Sequence, residues 1–591
     1  MPEIMEGTYY VDDAGGDDAR SGLSPAESWQ TLQKVNSAEL KPGDRVLFRR
    51  GGQWRGQLFP RSGSDSAPVS YGAYGKGPKP LLRGSTSMNS PDDWALESPG
   101  VWSTKPAEYR DIGIVADLSA IKWNLYVEGG AEASLSGPAS GDQKAEWTAR
   151  CRKRGAERHH VQFYTDGVIR IQAGDSLRFD FSARCDKPFA MKNIIIMQPR
   201  SPWSDYASLS VARPADVGSE WKAYTVRFKC GRTAEDGRLC IFLGGAIPDE
   251  STFQFRPGAL VKEECLRGYL LGADVGNIIF DGGATCGVKK WKVEDLQKDG
   301  DYFFDPAMRC VKLRCESNPA GAHKSIELAL NKHVIDQSGR HHVAYEGLDV
   351  RYGAAHGFGG GDTRNITIRD CDLSYIGGGH QFTTADGRPV RFGNAIEFWG
   401  NARDSIVEGC RIWEVYDAAL TNQASGRGTV QTNIIYRNNM IWNSEYSFEY
   451  WNRPEDSITE NIVFEDNVCV DAGFGWGHEQ RPDPNGRHLM FYQNPAQTRG
   501  VVVRRNVFCN SRHSGLRMEN DWLTGLAMDH NLWFEESGPL FLYMGKNYAA
   551  EDFDAFRKTT GQCANCVFAM PKFVNAQERD YRLAPDSPRA W

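Results

Sequence analysis

Carboxylates and aromatic rings recur at matching positions of five strand-like segments in the second half of the chain. The aligned segments are 395–399, 418–422, 447–451, 475–479 and 515–519. Side chains alternate along a strand, so third and fifth residues point outward if second residues point inward. The third residues are Glu397, Leu420, Glu449, Gly477 and Arg517, and the fifth are Trp399, Asn422, Trp451, Glu479 and Glu519. This alignment predicts acids beside exposed rings.

Acids beside rings are typical of sites that act on sugars. Glycosidic cleavage needs one carboxylic acid to protonate the leaving oxygen, and one carboxylate to attack or to activate water. Asp417 lies at the turn between the segments of Glu397 and Glu449, where like charges and aromatic walls raise a carboxyl pKa. We predict Asp417 and Glu449 as the catalytic pair, with Glu397 in reserve. Glu397 and Glu449, two strand spacings apart, would have backbones about 9–10 Å apart, which favours inversion unless the side chains close the gap.

Two long insertions flank these strands. They span 377–394 and 480–498, and long loops on a repeat usually serve function. The second one supplies Arg481, Asp483, Arg487 and His488 as polar wall residues. The predicted substrate-binding residues are Trp399, Asn422, Trp451, His478, Glu479, Arg481, Arg517 and Glu519. His478 falls at an inward position, so a purely structural role is the alternative for it.

The sequence predicts neither a cofactor nor a metal. It lacks a Gly-rich phosphate loop, a Ser-His-Asp signature and a cluster with metal-ligand spacing. Cys563 and Cys566 form a lone Cys-x-x-Cys without the second pair that a zinc site needs.

The elements that position the acids belong to a repeat. Short strand cores are centred at 371, 410, 439, 467, 506 and 531, with steps of 39, 29, 28, 39 and 25 residues. Asn occupies the last four centres, and apolar residues lie on both sides of each centre. Stacked Asn side chains in coils of about 22 to 30 residues indicate an all-β, right-handed parallel β-helix, a solenoid whose coils bury their inner faces against one another.

Changes in the strand pattern along the sequence predict that the chain has three parts. Residues 1–116 form the N-terminal part of the β-helix, with a capping helix that begins at Ser24-Pro25-Ala26-Glu27. Residues 117–264 carry longer alternating strands without Asn, which is typical of an inserted jelly-roll β-sandwich. Residues 265–591 form the main part of the β-helix. The flanking stretches 111–114 and 274–279 are interpreted as solenoid strands.

Composition excludes several classes of partner. The 591 residues carry a net charge of −7, without the basic surface that nucleic acid or an anionic membrane requires. No apolar run of about 18 residues exists, so we expect no membrane-spanning helix. Met1-Pro2-Glu3-Ile4 lacks the basic and apolar regions of a secretory signal. The sequence does not specify an oligomeric state.

The chain also resembles two kinds of known family. Trp123-Asn124-Leu125, Leu177-Arg178-Phe179 and Gly218-Ser219-Glu220-Trp221-Lys222 resemble the jelly-roll carbohydrate-binding modules of families 4 and 9. The opening 9–15, the 21–25 turn and the 29–32 helix resemble β-helical glycoside hydrolases, especially families 120 and 141. Family 120 enzymes carry a β-sandwich within the early solenoid and use two carboxylates. The resemblance implies a secreted or periplasmic protein whose signal lies outside this sequence, with a cytoplasmic protein as the alternative.

Three functions compete at this point. The first is a glycoside hydrolase acting on a plant or host polysaccharide or oligosaccharide. The second is a polysaccharide lyase or uronate epimerase, which would need a Lys, Arg or Tyr base and cationic groups around a uronate. The third is a glycan-binding solenoid without catalysis, which would not explain acids placed between long loops.

Overall fold

The computed structural model has a nearly all-β fold, with many strands and few helices. It describes residues 7–105, 108–138, 146–191, 193–201, 203–209, 215–267, 271, 273–306, 308–384, 386–493 and 497–591. Residues 1–4, where the sequence predicts no secretory signal, lie outside these ranges. In the part of the chain that is described, none of the helices combines the length and apolarity needed to cross a membrane.

The chain divides into two compact units. The first contains 1–91, 274–302 and 313–591, and the second contains 92–273 and 303–312. In the first unit, Leu81–Arg83 pairs in parallel with Asp349–Arg351, although more than 260 residues separate them. The two strands are therefore neighbours in one parallel ladder, although the residues of the second unit lie between them in the sequence.

A 27-stranded sheet dominates the first unit. Its strands are Thr8–Val11, Arg45–Arg49, Gln53–Arg55, Val69–Tyr74, Leu81–Arg83, Ile335–Asp336, His341–Glu346, Asp349–Arg351, Phe358–Gly359, Gly361–Arg369, Asp372–Ile376, Ile396–Glu408, Arg411–Ala424, Val430–Arg437, Met440–Asn452, Ile458–Glu465, Val468–Ala472, Arg487–Phe491, Gln497–Arg499, Val501–Arg504, Val507–Ser511, Ser514–Met518, Leu526–Asp529, Leu532–Phe534, Phe541–Tyr543, Lys546–Tyr548 and Val567–Phe568. These strands pair in parallel with strands one repeat later, except for the final antiparallel pairing of Phe541–Tyr543 with Lys546–Tyr548.

The register of this sheet fixes which residues share a face. One file runs Ile396, Leu420, Phe448, Leu489, Leu516 and Phe541. All six side chains are buried in one hydrophobic cluster that extends from Val11 to Cys566. Burial of each large apolar side chain contributes on the order of 1.5–3 kcal/mol, so this file anchors the strands whose next residues point outward.

The Asn stack is confirmed. Asn439, Asn467 and Asn506 each donate from Nδ2 to Oδ1 of the next Asn at 3.0–3.1 Å, and the stack ends at Asn531. Each of these Nδ2 groups also donates to a backbone carbonyl. All four side chains are fully or almost fully buried. These paired amides satisfy buried polar groups at the turns and so lock the register of successive strands.

The second unit contains a 12-stranded antiparallel sheet. Its strands are Glu108–Asp117, Trp123–Val127, Glu132–Ser136, Trp147–Lys153, Val161–Thr165, Ile169–Ile171, Ser176–Cys185, Asn193–Met197, Asp205–Leu209, Lys222–Cys230, Ala234–Phe242 and Ser251–Arg267. The interpretation of 111–114 as a solenoid strand is wrong, because Glu108–Asp117 pairs antiparallel with Ser251–Arg267. Residues 108–116 therefore leave the predicted N-terminal part of the β-helix. The interpretation of 274–279 is wrong as well, since Val275–Phe280 pairs antiparallel with Ile326–Leu330.

Helices are few and short. The α-helices are Leu32–Ser37, Pro319–Ala322 and Phe553–Thr560. The helix predicted from Ser24 is only a 3₁₀ turn, Pro25–Glu27, and the Ser24 side chain makes no capping hydrogen bond. Thr31 instead caps the first α-helix by accepting from the Lys34 amide, which places the buried Leu32 and Val35 against the core. Cys563 and Cys566 are joined by a disulfide.

The remaining strands are short. They are Ser85–Ser87, Trp94–Ser98, Val101–Thr104, Phe189–Met191, Ala215–Val217, Val275–Phe280, Thr285–Cys286, Val288–Lys290, Asp301–Asp305, Cys310–Arg314, Ile326–Leu330, Gly379–Thr383, Pro389–Phe392, Phe573–Asn575 and Asp580–Leu583. Gly379–Thr383 and Pro389–Phe392 form an antiparallel hairpin within the first long insertion.

Candidate active site

A cavity of about 670 Å³ in the first unit is lined by all three of the predicted catalytic residues. Three neighbouring strands line it, Ile396–Glu408, Arg411–Ala424 and Met440–Asn452. Both long insertions also contribute, the first through residues 381, 382, 388, 390–392 and 394, and the second through 481–483 and 492. Acids on the strands thus lie between walls made by the loops.

A β-bulge places Asp417 in the cavity. Val415 pairs with Ser444 and Ala418 pairs with Tyr446, so Tyr416 and Asp417 together face the single residue Glu445. The extra residue interrupts the alternation of the strand and turns a side chain out of its regular direction. The Asp417 side chain is 15% exposed and lines the cavity.

Glu449 lies on the next strand, beside the same cavity. Glu397 and Glu449 both pair with Thr421, one from each side, so their backbones are about 10 Å apart. Glu449 is 5% exposed, and its Oε2 accepts from Thr421 Oγ1 at 3.2 Å and from Gln423 Nε2. Burial and then the nearby charge of Asp417 raise the pKa of Glu449 well above its usual range.

Glu397 is held by a histidine. His356 Nε2 lies 2.7 Å from Glu397 Oε2, and His356 Nδ1 accepts from the Asn394 amide at 2.9 Å. Because a backbone amide can only donate, Nδ1 carries the lone pair and Nε2 carries the hydrogen that points at the carboxylate. His333 stacks on His356 with ring centroids 5.0 Å apart. Burial lowers the pKa of His333 to about 4, so this second ring is neutral near pH 7.

Asp417 belongs to a network of ion pairs with buried side chains. Arg481 Nη1 donates to Asp417 Oδ1 at 3.1 Å and to the Tyr416 carbonyl at 3.0 Å. Arg481 Nε lies 3.7 Å from Glu445, which is 2% exposed and also binds His478 Nδ1 at 2.9 Å. Burial raises the pKa of Asp417, the Arg481 charge opposes this rise, and the Glu445 charge adds to it.

Two tryptophans form one wall. The rings of Trp399 and Trp451 are stacked, with centroids 6.0 Å apart and an interplanar angle of 21°. Both residues pair with Gln423 on the strand between them. Their half-buried rings line the cavity on the same outward face as Glu397 and Glu449. Rings in this position can stack on the apolar face of a sugar while carboxylates reach its polar edges.

The predicted residues divide into two groups. Asp417, Glu449, Glu397, Trp399, Trp451 and Arg481 line the cavity together. Asn422 was predicted to point outward, which is wrong, because it is fully buried and its Oδ1 accepts from Tyr436 Oη at 2.9 Å. The cause is the Asp417 bulge, which shifts this strand by one residue, so that Thr421 and Gln423 occupy the outward positions.

The other four predicted ligands lie away from the cavity lining. His478 is buried against Glu445, and Glu479 is exposed in the 3₁₀ turn His478–Gln480. The strand predicted at 475–479 is wrong, since Arg487–Phe491 takes that place in the ladder. Arg487 and His488, predicted as wall residues, are consequently buried within this strand.

Arg517 lies on the strand Ser514–Met518, which pairs with Arg487–Phe491, and Glu519 lies directly beyond the end of that strand. The side chains of Arg517 and Glu519 form an ion pair at 2.7 Å. Neither residue belongs to the lining of the cavity.

Sequence reasoning missed several residues of the site. They are His333, His356, Tyr416, Gln423, Glu445 and Tyr492. His356 precedes the first aligned segment, and Glu445 opposes a bulge that no periodic pattern marks. Gln423 could have been found by testing the alignment one residue further along.

The comparisons with known proteins give short or distant similarities. No family model matches the chain. A lacto-N-biosidase of Bifidobacterium longum subsp. longum is 41% identical over 73 residues, which cover 12% of this chain and 5% of that protein. An uncharacterized protein, YwoF, of Bacillus subtilis is 24% identical over 179 residues, covering 27% of this chain and 37% of that protein. The chain thus spans well under two thirds of the length of either relative.

Solved structures similar to the chain are carbohydrate-active proteins. One described as a glycoside hydrolase is 10% identical, covers 94% of this chain and 99% of its own, and has a TM-score of 0.38. A family 136 lacto-N-biosidase of Eubacterium ramulus is 9% identical, with coverage of 95% and 68% and a TM-score of 0.31. A family 4 carbohydrate-binding module is 20% identical, with coverage of 26% and 95% and a TM-score of 0.20.

Proposed function

We propose that the chain is a glycoside hydrolase that cleaves glycosidic bonds with Glu449 and Asp417. The observation that carries this proposal is one cavity in which three buried or largely buried carboxylates, two of them with raised pKa, lie beside two stacked tryptophans. The short stretch that is similar to a lacto-N-biosidase supports a glycan as the substrate.

Glu449 is the general acid in this proposal. Burial raises its pKa well above the usual range and so favours its protonated form, which can transfer the proton to the leaving glycosidic oxygen as the bond breaks. Asp417 is the base or nucleophile, because Arg481 stabilises its charged form. Glu397 faces the same space, and its charge would stabilise the positive charge that develops on the sugar ring.

The architecture proposed for the first unit is a right-handed parallel β-helix, as in the glycoside hydrolase families 120 and 141 that the sequence resembles. Its support is the long series of parallel ladders and the Asn stack. With that kinship we also propose a secreted or periplasmic location.

A lyase is the second candidate. It needs a base that removes a proton beside a carboxylate, and the cavity offers Tyr416 and Tyr492. Burial raises the pKa of both phenols, which makes their deprotonated forms costly and favours hydrolysis.

A screen of aryl glycosides and natural polysaccharides tests the proposal. Reducing ends without an unsaturated product identify hydrolysis, whereas ultraviolet absorbance of a double bond identifies elimination. On natural polysaccharides, Glu449→Gln and Asp417→Asn should each lower kcat by about 10²–10⁴-fold, with Glu479→Gln, an exposed residue outside the cavity, as the matched control. Near-normal rates in both cavity variants would remove the assignment.

A further inference from the structure

Four arginines line the cavity of the candidate active site, and three of them, Arg391, Arg453 and Arg481, differ in what holds them. Arg391 donates to the carbonyls of Gly378 and Gly276, both at 2.8 Å. Arg481 is bound to Asp417 and to the Tyr416 carbonyl. The guanidinium groups of both are therefore occupied by the protein itself, and their role is to build the walls of the cavity.

Arg453 lines the same cavity without such partners. Its guanidinium lies over the ring of Trp451, 5.1 Å from the centroid, and over the ring of Tyr492, 5.7 Å from the centroid. The side chain is exposed, and within the described ranges no carboxylate lies within ion-pair distance of it. It is thus an available cation on the aromatic wall.

The two rings restrict the orientation of this cation. A guanidinium held over an aromatic face keeps its N–H groups free at its edge, where they match the two oxygens of a carboxylate. Such a preoriented fork loses less entropy on binding than a freely moving lysine. The wall that would stack on a sugar therefore also carries a group suited to an acidic substituent of that sugar.

We propose that this cavity selects acidic glycans, with Arg453 binding a carboxylate or sulfate on a sugar that stacks against Trp451. This inference rests on the proposed hydrolase function and adds the substrate class. Arg453 follows Glu449 by four residues of extended chain, which is at most about 13 Å along the backbone. An acidic group bound by Arg453 would therefore belong to a sugar next to the scissile bond. It would lie far enough from the buried carboxylates to avoid their repulsion.

Matched glycans test this proposal directly. Uronate-containing oligosaccharides are compared with the same oligosaccharides after carboxyl reduction, and sulfated oligosaccharides with their desulfated forms. Binding to Glu449→Gln, which prevents turnover, is measured by calorimetry. We expect at least one acidic member to bind about tenfold or more tightly than its neutral counterpart, because a hydrogen bond to a charged group is worth that much.

The double variant Glu449→Gln, Arg453→Gln should bind the acidic and neutral members equally, and Arg453→Lys should keep part of the preference. The control is Arg427→Gln, an exposed arginine paired with Asp456 outside the cavity, which should retain the full preference. The arm that shows the preference, uronate or sulfate, identifies the anion.

Equal binding of each pair, or no binding of any acidic member, overturns the proposal. If neutral glycans are hydrolysed and Arg453→Gln does not affect the rate, the hydrolase assignment stands while acidic selectivity falls. If acidic glycans bind through Arg453 but the wild-type protein cleaves none, the selectivity stands and the hydrolase assignment falls.

Discussion

Two residues with opposite charge control Asp417. Arg481 stabilises the carboxylate form of Asp417, whereas Glu445 destabilises it by repulsion. Activity that needs charged Asp417 is lost as the pH falls through its raised pKa, and activity that needs protonated Glu449 is lost as the pH rises through the pKa of Glu449. We therefore expect a bell-shaped dependence of kcat/KM on pH.

Substitution of these two residues should move the acidic limb in opposite directions. Arg481→Gln removes the opposing cation, so the pKa of Asp417 rises further and the limb moves to higher pH. Glu445→Gln removes a repulsive charge, so the limb moves to lower pH. Profiles of kcat/KM for both variants provide the measurement. Shifts in the same direction would show that Asp417 does not titrate in this limb.

His356 is predicted to position Glu397. His356→Asn removes the Nε2 hydrogen bond and should lower kcat by about tenfold while leaving KM within a factor of about three, since the wall of tryptophans is unchanged. Steady-state kinetics separate the two constants. A rise in KM alone would place His356 in substrate binding instead.

At the scale of elements, the Asn stack should be a major source of stability. Asn467→Ala removes the Oδ1 that accepts from the backbone and side-chain amides of Asn439, and the Nδ2 that donates to the Tyr436 carbonyl and to Asn506. The expected loss is about 2–4 kcal/mol in the free energy of unfolding, measured by chemical denaturation. Asn547→Ala, at an exposed position, should change it by less than about 0.5 kcal/mol. Equal losses would show that the stack adds nothing specific.

The sequence predicts the repeating strands but not the positions at which the repeat is interrupted. Alternation around the Asn positions predicts the strands from Ile396 onward because the pattern repeats and apolar residues recur at the inward positions. A one-residue bulge at Asp417 leaves no periodic trace, and it alone reversed the orientation predicted for Asn422. Glycines at 473, 475 and 477 interrupt the next strand, and the ladder resumes only at Arg487.

The locations of single acids could therefore be predicted better than the residues around them. Glu397 and Glu449 lie on regular strands, where spacing in the chain sets direction. His356 and Glu445 reach the site through loops and opposing strands, and such contacts depend on packing in three dimensions.

At the scale of the whole molecule, the second unit offers its own groove. A cavity of about 670 Å³ there is lined by Tyr126, Tyr164 and Trp203, and half of the Trp203 surface is exposed. The Arg238 guanidinium lies 4.6 Å from the Tyr164 ring centroid and 5.1 Å from that of Trp203. Rings and a cation arranged this way can stack on the apolar face of a sugar and bind its hydroxyl groups.

Trp203→Ala should weaken binding of the intact protein to polysaccharide by about tenfold, while kcat/KM on a small soluble glycoside stays unchanged. Pull-down on insoluble polysaccharide and kinetics on the small glycoside give the two readings. Unchanged binding would assign the groove a purely structural role.

The dependence of rate on the leaving group tests the assignment of acid and base most directly. Glu449→Gln should cleave an aryl glycoside with a strongly acidic phenol nearly as fast as the wild type, because that phenol leaves without a proton. The same variant should lose about 10²–10⁴-fold on a natural sugar leaving group, and Asp417→Asn should lose activity on both. Equal losses of Glu449→Gln on the two substrates would contradict its role as the general acid.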